Sequence, residues 1–181
     1  MQDRFKFRLY DKAIDEMIYD VCIGFIKDGG KTDDWVCADT SCGQITYRDD
    51  KLKDIILMQC TGLKDKNSKL IYEGDIVKDL TYFYEVKYVC VFLPILGGLG
   101  LIRNQDLKDY EFCKENWKDY TTNSKVRMLD NRFKLANQGN RLNCFNMINF
   151  KMDDFEIIGN VYENPELLKD VNKWLKRTYK P

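Results

Sequence analysis

Histidine is missing altogether from this 181-residue sequence. Without an imidazole there is no Ser–His or Cys–His dyad, no HExxH zinc motif and no histidine general base near neutral pH. Catalysis would fall to carboxylates, lysine, tyrosine or a borrowed metal. An excess of either charge is missing too, because 29 Lys plus Arg stand against 29 Asp plus Glu. That balance gives no global pull toward phosphate backbones or anionic membranes, although a local patch is compatible with it. No apolar run is long enough for a bilayer. The nearest, residues 89–102, is broken by Pro94, Gly97, Gly98 and Gly100 and falls short of the roughly 20 residues required. No membrane association is expected. Nor does a secretory apolar stretch follow Met1-Gln2-Asp3-Arg4. The 7 cysteines (Cys22, Cys37, Cys42, Cys60, Cys90, Cys113 and Cys144) are odd in number and scattered. They read as reduced cytoplasmic thiols, not as a disulfide framework.

Aromatic residues (13%) and apolar residues (44%) are present in the amounts a packed core needs. Phe5, Phe7 and Leu9 alternate with Lys6, Arg8 and Tyr10, the period of a half-buried strand. A polar turn over 11–16 then leads to Met17-Ile18-Tyr19, which suggests a hairpin; Ala13, Ile14, Met17 and Ile18 also fit a helical face. Further strands are expected at 45–47, 55–61, 70–72, 84–93, 99–102 and 155–158, with Gly97-Gly98 closing a hairpin. Closely spaced strands with short glycine turns point to a small β-barrel, which closes its own edges. In 103–150 the spacing of Leu107, Tyr110, Cys113 and Trp117 suits one face of a short helix, and the Asn-rich stretch 121–150 reads as loops with weak strands. Gly159-Asn160 reads as a turn. Asn164-Pro165 then supplies an N-cap and a first-turn proline for an amphipathic helix over 165–178, with Leu167, Leu168, Val171, Trp174 and Leu175 on one stripe.

Two blocks carry more information than the rest. The first spans 57–77 and includes Gly62, Asp65, Lys66, Asn67, Tyr72, Glu73, Gly74 and Asp75. The second is Ile158-Gly159-Asn160-Val161-Tyr162-Glu163-Asn164-Pro165-Glu166-Leu167-Leu168. Together with the opening Phe7-Arg8-Leu9-Tyr10-Asp11, they resemble the YopX family of phage and prophage proteins. The resemblance implies an SH3-like barrel, a phage or prophage origin and no established reaction; it does not extend to about 78–152. Where that family usually has Asn-Gly, this chain has Asn67-Ser68. A left-handed Ser68 would cost about 1–2 kcal/mol. The expected fold is therefore mainly β: an N-terminal β-rich segment (1–56), then a barrel (57–181) with an insertion of mixed structure at about 103–150 and a C-terminal helix. One compact domain overall is the other arrangement considered.

Each candidate site has a plain structural explanation beside it. Gly30-Lys31-Thr32 looks like the end of a phosphate loop, but Phe25 stands where that motif needs glycine, and a surface turn is favoured. Cys37 and Cys42 have knuckle-like spacing without a second ligand pair, so free thiols are favoured. The acid pairs Asp33-Asp34, Asp49-Asp50 and Asp153-Asp154 read as solvated turns sooner than a cation site. Lys125, Arg127, Arg132, Lys134 and Arg141, interleaved with Phe133, Phe145 and Phe150, form the best candidate nucleic-acid surface, since cations neutralise phosphates while rings stack bases. An ordinary solvated insertion is favoured over it. The motif residues Gly62, Asp65, Asn67, Tyr72, Glu73, Gly74, Asp75, Gly159, Asn160, Tyr162, Asn164 and Pro165 occupy positions where turns and caps need such side chains. The expectation is a non-enzymatic cytoplasmic protein of a bacterial host that needs no cofactor and binds a protein partner or itself, with the C-terminal helix and the aromatic Tyr82-Phe83-Tyr84 segment contributing the interface. Nucleic-acid binding through 121–150 comes second, and a metal-assisted hydrolase last.

Overall fold

The computed structural model describes residues 6–28, 31–40, 43–83, 85–93, 98–137, 144–146 and 152–168. The protein is mainly β, built of curled antiparallel sheets. Its chain divides into two compact units, Met1–Leu63 and Lys64–Pro181. The strand Ile55–Lys64 runs without a break through positions 56 and 57.

In the first unit, β1 (Phe7–Asp11) and β2 (Glu16–Ile18) form the expected hairpin, with Leu9 opposite Ile18. Asp11 Oδ1 accepts the Ala13 N–H at 2.8 Å and sets the polar turn. Next come β3 (Val21–Asp28), β4 (Lys31–Thr40) and β5 (Gly43–Arg48), an antiparallel meander. The strand β6 (Ile55–Lys64) then runs antiparallel to β1, placing Leu57 opposite Leu9. Strand alternation turns Val21, Val36 and Tyr47 inward to join Leu9 and Ile18 in one core. Each such aliphatic side chain contributes roughly 1.5–3 kcal/mol through burial. Tyr47 keeps its polar end satisfied there, donating to Asp11 Oδ2 at 2.7 Å. Burial first, and that carboxylate second, push its phenol pKa well above the ordinary value.

The second unit contains β7 (Leu70–Tyr72), β8 (Asp75–Asp79), β9 (Val86–Leu93), β10 (Gly98–Arg103), β11 (Cys144–Asn146) and β12 (Phe155–Asn160). Five of them make one antiparallel sheet in the order β11-β10-β9-β8-β12. Nearly every residue of β9 is buried, which accounts for its almost unbroken apolar sequence. Val89, Val91 and Leu93 pack with Ile76 and Ile102. Tyr88 meets Phe155 edge-on, with ring centroids 5.9 Å apart.

Between β10 and β11 lie α1 (Leu107–Glu115) and α2 (Ser124–Asn137). Tyr110 and Cys113 of α1 enter the core and Leu107 packs against it, as their spacing suggests; Trp117 lies beyond α1 in a short 3-10 turn. The helix α2 corrects the expectation of loops and weak strands over 121–150, of which only β11 is a strand among the described residues. Asn123 Oδ1 accepts the N–H groups of Lys125 and Val126 at 3.1 and 3.3 Å, starting the helix, while Val126 and Leu129 are buried one turn apart. A second correction concerns Gly159-Asn160. These residues continue β12 after a register shift between Ile157 and Gly159, and the chain turns only at 161–163. Pro165–Leu168 forms a 3-10 turn; the rest of the helix expected over 165–178 lies outside the described residues. Among the described residues, no helix is long and apolar enough to cross a membrane.

Candidate functional site

The two motif blocks meet in the second unit, where buried polar side chains hold backbone amides. Asp65 is 3% exposed. Its Oδ1 accepts from Asn67 and Lys69 N–H, both at 2.9 Å, and its Oδ2 accepts from Ile157 N–H at 3.0 Å. One carboxylate thus shapes the 65–69 loop and attaches it to β12. Ser68 sits in that loop at φ 62°, the left-handed geometry its glycine-like position suggests. Lys66 and Glu156 add an ion pair at 2.9 Å, and Lys66 holds the Glu156 carboxyl below its usual pKa. Asn67 Nδ2 also donates to Glu156, at 3.4 Å.

Asp75, 1% exposed, repeats the pattern at the next turn. Its Oδ2 accepts the Tyr72 N–H at 2.8 Å and its Oδ1 faces Asn160 Nδ2 at 3.5 Å. Between them Gly74 takes φ 84°, where a side chain would be strained. Its N–H donates to the Cys90 carbonyl and its carbonyl accepts from Val161, joining β9 to the closing block. Asn160 Oδ1 accepts the Tyr162 N–H at 2.9 Å, and Asn164 Oδ1 accepts the Asn160 N–H at 3.2 Å. The Asn164 side chain thus bonds backward to β12, while its carbonyl accepts the Leu167 N–H at 3.1 Å and starts the 3-10 turn. A Cβ on Gly159 would lie 2.7 Å from both Asn164 Oδ1 and Leu167 Cδ1, so this contact leaves no room for one. The 3-10 turn is anchored by Lys87, whose buried ammonium donates to the Leu167 carbonyl at 3.1 Å and pairs with Glu85 at 3.6 Å. Glu73 lies half-buried in the turn, and Gly62 has φ 76°.

The YopX protein family matches residues 6–169, including the segment that the motif resemblance left out. The chain belongs to the YopX family. Solved structures similar to it include two bacterial proteins. One is protein yopX from Bacillus subtilis, with 18% identity, TM-score 0.49 and coverage of 91% of this chain and 98% of that one. The other is protein EF1440 from Enterococcus faecalis, with 20% identity, TM-score 0.45 and coverage of 90% and 96%. No curated protein matches the sequence.

The remaining candidates are placed separately in this YopX-family chain. Lys125, Arg127, Arg132 and Lys134 lie on α2. At about 100° per residue, Lys125 and Arg127 lie about 200° apart around α2, on nearly opposite sides. Lys125 Nζ is 4.0 Å from the Phe112 ring centroid, and Arg127 donates to the Thr121 carbonyl. Phe133 belongs to α2 and Phe145 to β11; Arg141 and Phe150 lie outside the described residues. Lys31 and Thr32 open β4, so a strand stands where a phosphate loop needs a helix; Gly30 lies outside the described residues. Asp33 and Asp34 are on β4, Asp49 and Asp50 begin a 3-10 turn, and Asp153 and Asp154 precede β12. No group of three or more potential metal ligands occurs among the described residues. Cys37 is half-buried on β4, and Cys42 lies outside the described residues.

One arrangement was not read from the sequence. The β3–β4 register sets Cys22 directly opposite Cys37; Gly29-Gly30 between Asp28 and Lys31 is the available hairpin signal. In the β8–β9 connection Leu80 and Tyr82 are 39% and 40% exposed, and Phe83 is fully exposed. The aromatic composition of that connection is visible in sequence, but its exposure depends on how the flanking strands pair.

Proposed function

We propose that this YopX-family protein is a non-enzymatic binding module of phage or prophage origin, acting in the cytoplasm of a bacterial host. It binds a protein partner or a second copy of itself. The observation that carries this reading is the exposed apolar connection after β8, Leu80, Tyr82 and Phe83. Aromatic side chains are enriched where proteins meet, because they bury large area at little entropic cost. A fully exposed Phe gains most from being covered, roughly 1.5–3 kcal/mol.

The non-enzymatic part is supported by what the buried acids do. Asp65 and Asp75 have their oxygens directed at amide donors, and a carboxylate so engaged is poorly placed to take a proton from a substrate. The absence of histidine from the sequence agrees. Nucleic-acid binding is the second reading, and the placing of Lys125 and Arg127 on different sides of α2 argues for ranking it lower.

Size-exclusion chromatography with light scattering, paired with a pull-down from induced host lysate, tests the primary reading. A partner or a second copy is expected with the wild type. A strict monomer that retains no protein overturns it. Retention of labelled single strands that weakens steeply with salt would favour the second reading instead.

A further inference from the structure

The outer face of the β3–β4–β5 sheet carries a pair of thiols outside the YopX motif blocks. Strand register places Cys22 opposite Cys37, and Cys37 opposite Thr46. Directly opposed residues of antiparallel strands point to the same side. Cys22 and Cys37 accordingly line one cavity of about 420 Å³, together with Asp20, Trp35, Gln44, Thr46 and Arg48. The other side of this sheet supplies Val21, Val36 and Tyr47 to the core. The thiols therefore face outward, with Cys22 exposed and Cys37 half-buried. By contrast Cys60, Cys90 and Cys113 are buried.

We propose that Cys22 and Cys37 form a dithiol site for thiol–disulfide exchange, taking a small disulfide of the oxidised-glutathione class and closing to a disulfide across β3 and β4. Opposed antiparallel residues have Cα atoms about 4.5 or 5.5 Å apart, depending on the type of pair. Both spacings lie within the roughly 4.4–6.8 Å that disulfides span, so the strands need not move. Thr46 Oγ1 donates to Cys37 Sγ at 3.7 Å and fixes that sulfur within the row. The indole of Trp35 forms an adjoining wall, occupying the space that a Cβ on Gly24 would need.

Accessibility sets the order of events. The Cys22 thiol gives its proton to solvent, and its sulfur attacks RSSR, forming Cys22–S–SR and releasing RS⁻. The Cys37 sulfur, after losing its own proton, attacks the Cys22 sulfur and expels the second RS⁻. Both RS⁻ groups take up protons. Two protein thiols are oxidised, and RSSR is reduced to two RSH.

The test is peptide mapping of the full chain by mass spectrometry after equilibration with oxidised glutathione at neutral pH and quenching of free thiols. A Cys22–Cys37 linked peptide, two hydrogen atoms lighter than the separate peptides and lost on reduction, is the expected result. Cys37→Ser should accumulate the glutathione adduct at Cys22, and Cys22→Ser should slow loss of the Cys37 thiol at least tenfold. Phenylarsine oxide supplies a second measurement on the unmodified chain, since it bridges neighbouring thiols. One equivalent should block labelling of both Cys22 and Cys37. Independent glutathione adducts on the two residues, a Cys37–Cys42 link, or separate labelling after the arsenical would each overturn the proposal.

Discussion

Ser68 carries a backbone cost that glycine would not. At φ 62° its Cβ is crowded, and the loop keeps this geometry through the hydrogen bonds that the Asn67 and Lys69 N–H groups donate to Asp65 Oδ1. Ser68→Gly is expected to stabilise the chain by about 1 kcal/mol, the left-handed penalty less glycine's greater unfolded entropy. A higher urea midpoint with unchanged slope would show it. Asp65→Ala should do the reverse. Three backbone N–H groups lose their acceptor, for a loss on the order of 3 kcal/mol, read from the same unfolding curve.

Tyr47 gives a pH dependence of definite sign. Its folded pKa lies above the unfolded value, so the phenol's contribution is complete below about pH 10 and falls as pH rises beyond it. Urea midpoints should drop between pH 9 and pH 11, and Tyr47→Phe should drop less over that interval. At neutral pH the same variant should be about 1 kcal/mol less stable, because Asp11 Oδ2 loses its buried donor.

At the scale of elements, α2 is where the sequence misleads most. Its asparagines suggested loops, yet Asn123 starts the helix, and Val126 and Leu129 face the core. Local composition spoke for turns, whereas capping chemistry and the spacing of two apolar residues specified a helix. Leu129→Ala should cost about 2–5 kcal/mol and Asn123→Ala about 1 kcal/mol, measured by thermal or urea unfolding. The strands were more legible, through the sequence alternation of β1 and the apolar runs of β9 and β10. Thus β1, β2, β9, β10 and the start of β12 fall where the pattern puts them. β3 and β4 are obscured because the surface turn favoured at Gly30-Lys31-Thr32 says nothing of the strands on either side of it. Gly159-Asn160 looked like a turn because composition does not reveal a register shift inside a strand. The motif polar residues were visible in sequence, but their partners were not. Asp65 meets Ile157 across 92 positions and Asp75 meets Asn160 across 85, pairings that only the sheet order creates.

For the whole molecule, the central claim is that the buried polar groups build the scaffold and the exposed aromatic connection does the binding. Neutral net charge fits a module whose recognition is apolar and local, without long-range steering. The most direct measurement is co-purification from host cells that also express an untagged copy, comparing the tagged wild type with Phe83→Asp and quantifying retained proteins by mass spectrometry. The account predicts that the untagged copy or a distinct cellular protein is retained by the wild type and reduced at least tenfold by Phe83→Asp, with folding unchanged. Equal retention by both proteins, or none above background by the wild type, would contradict it.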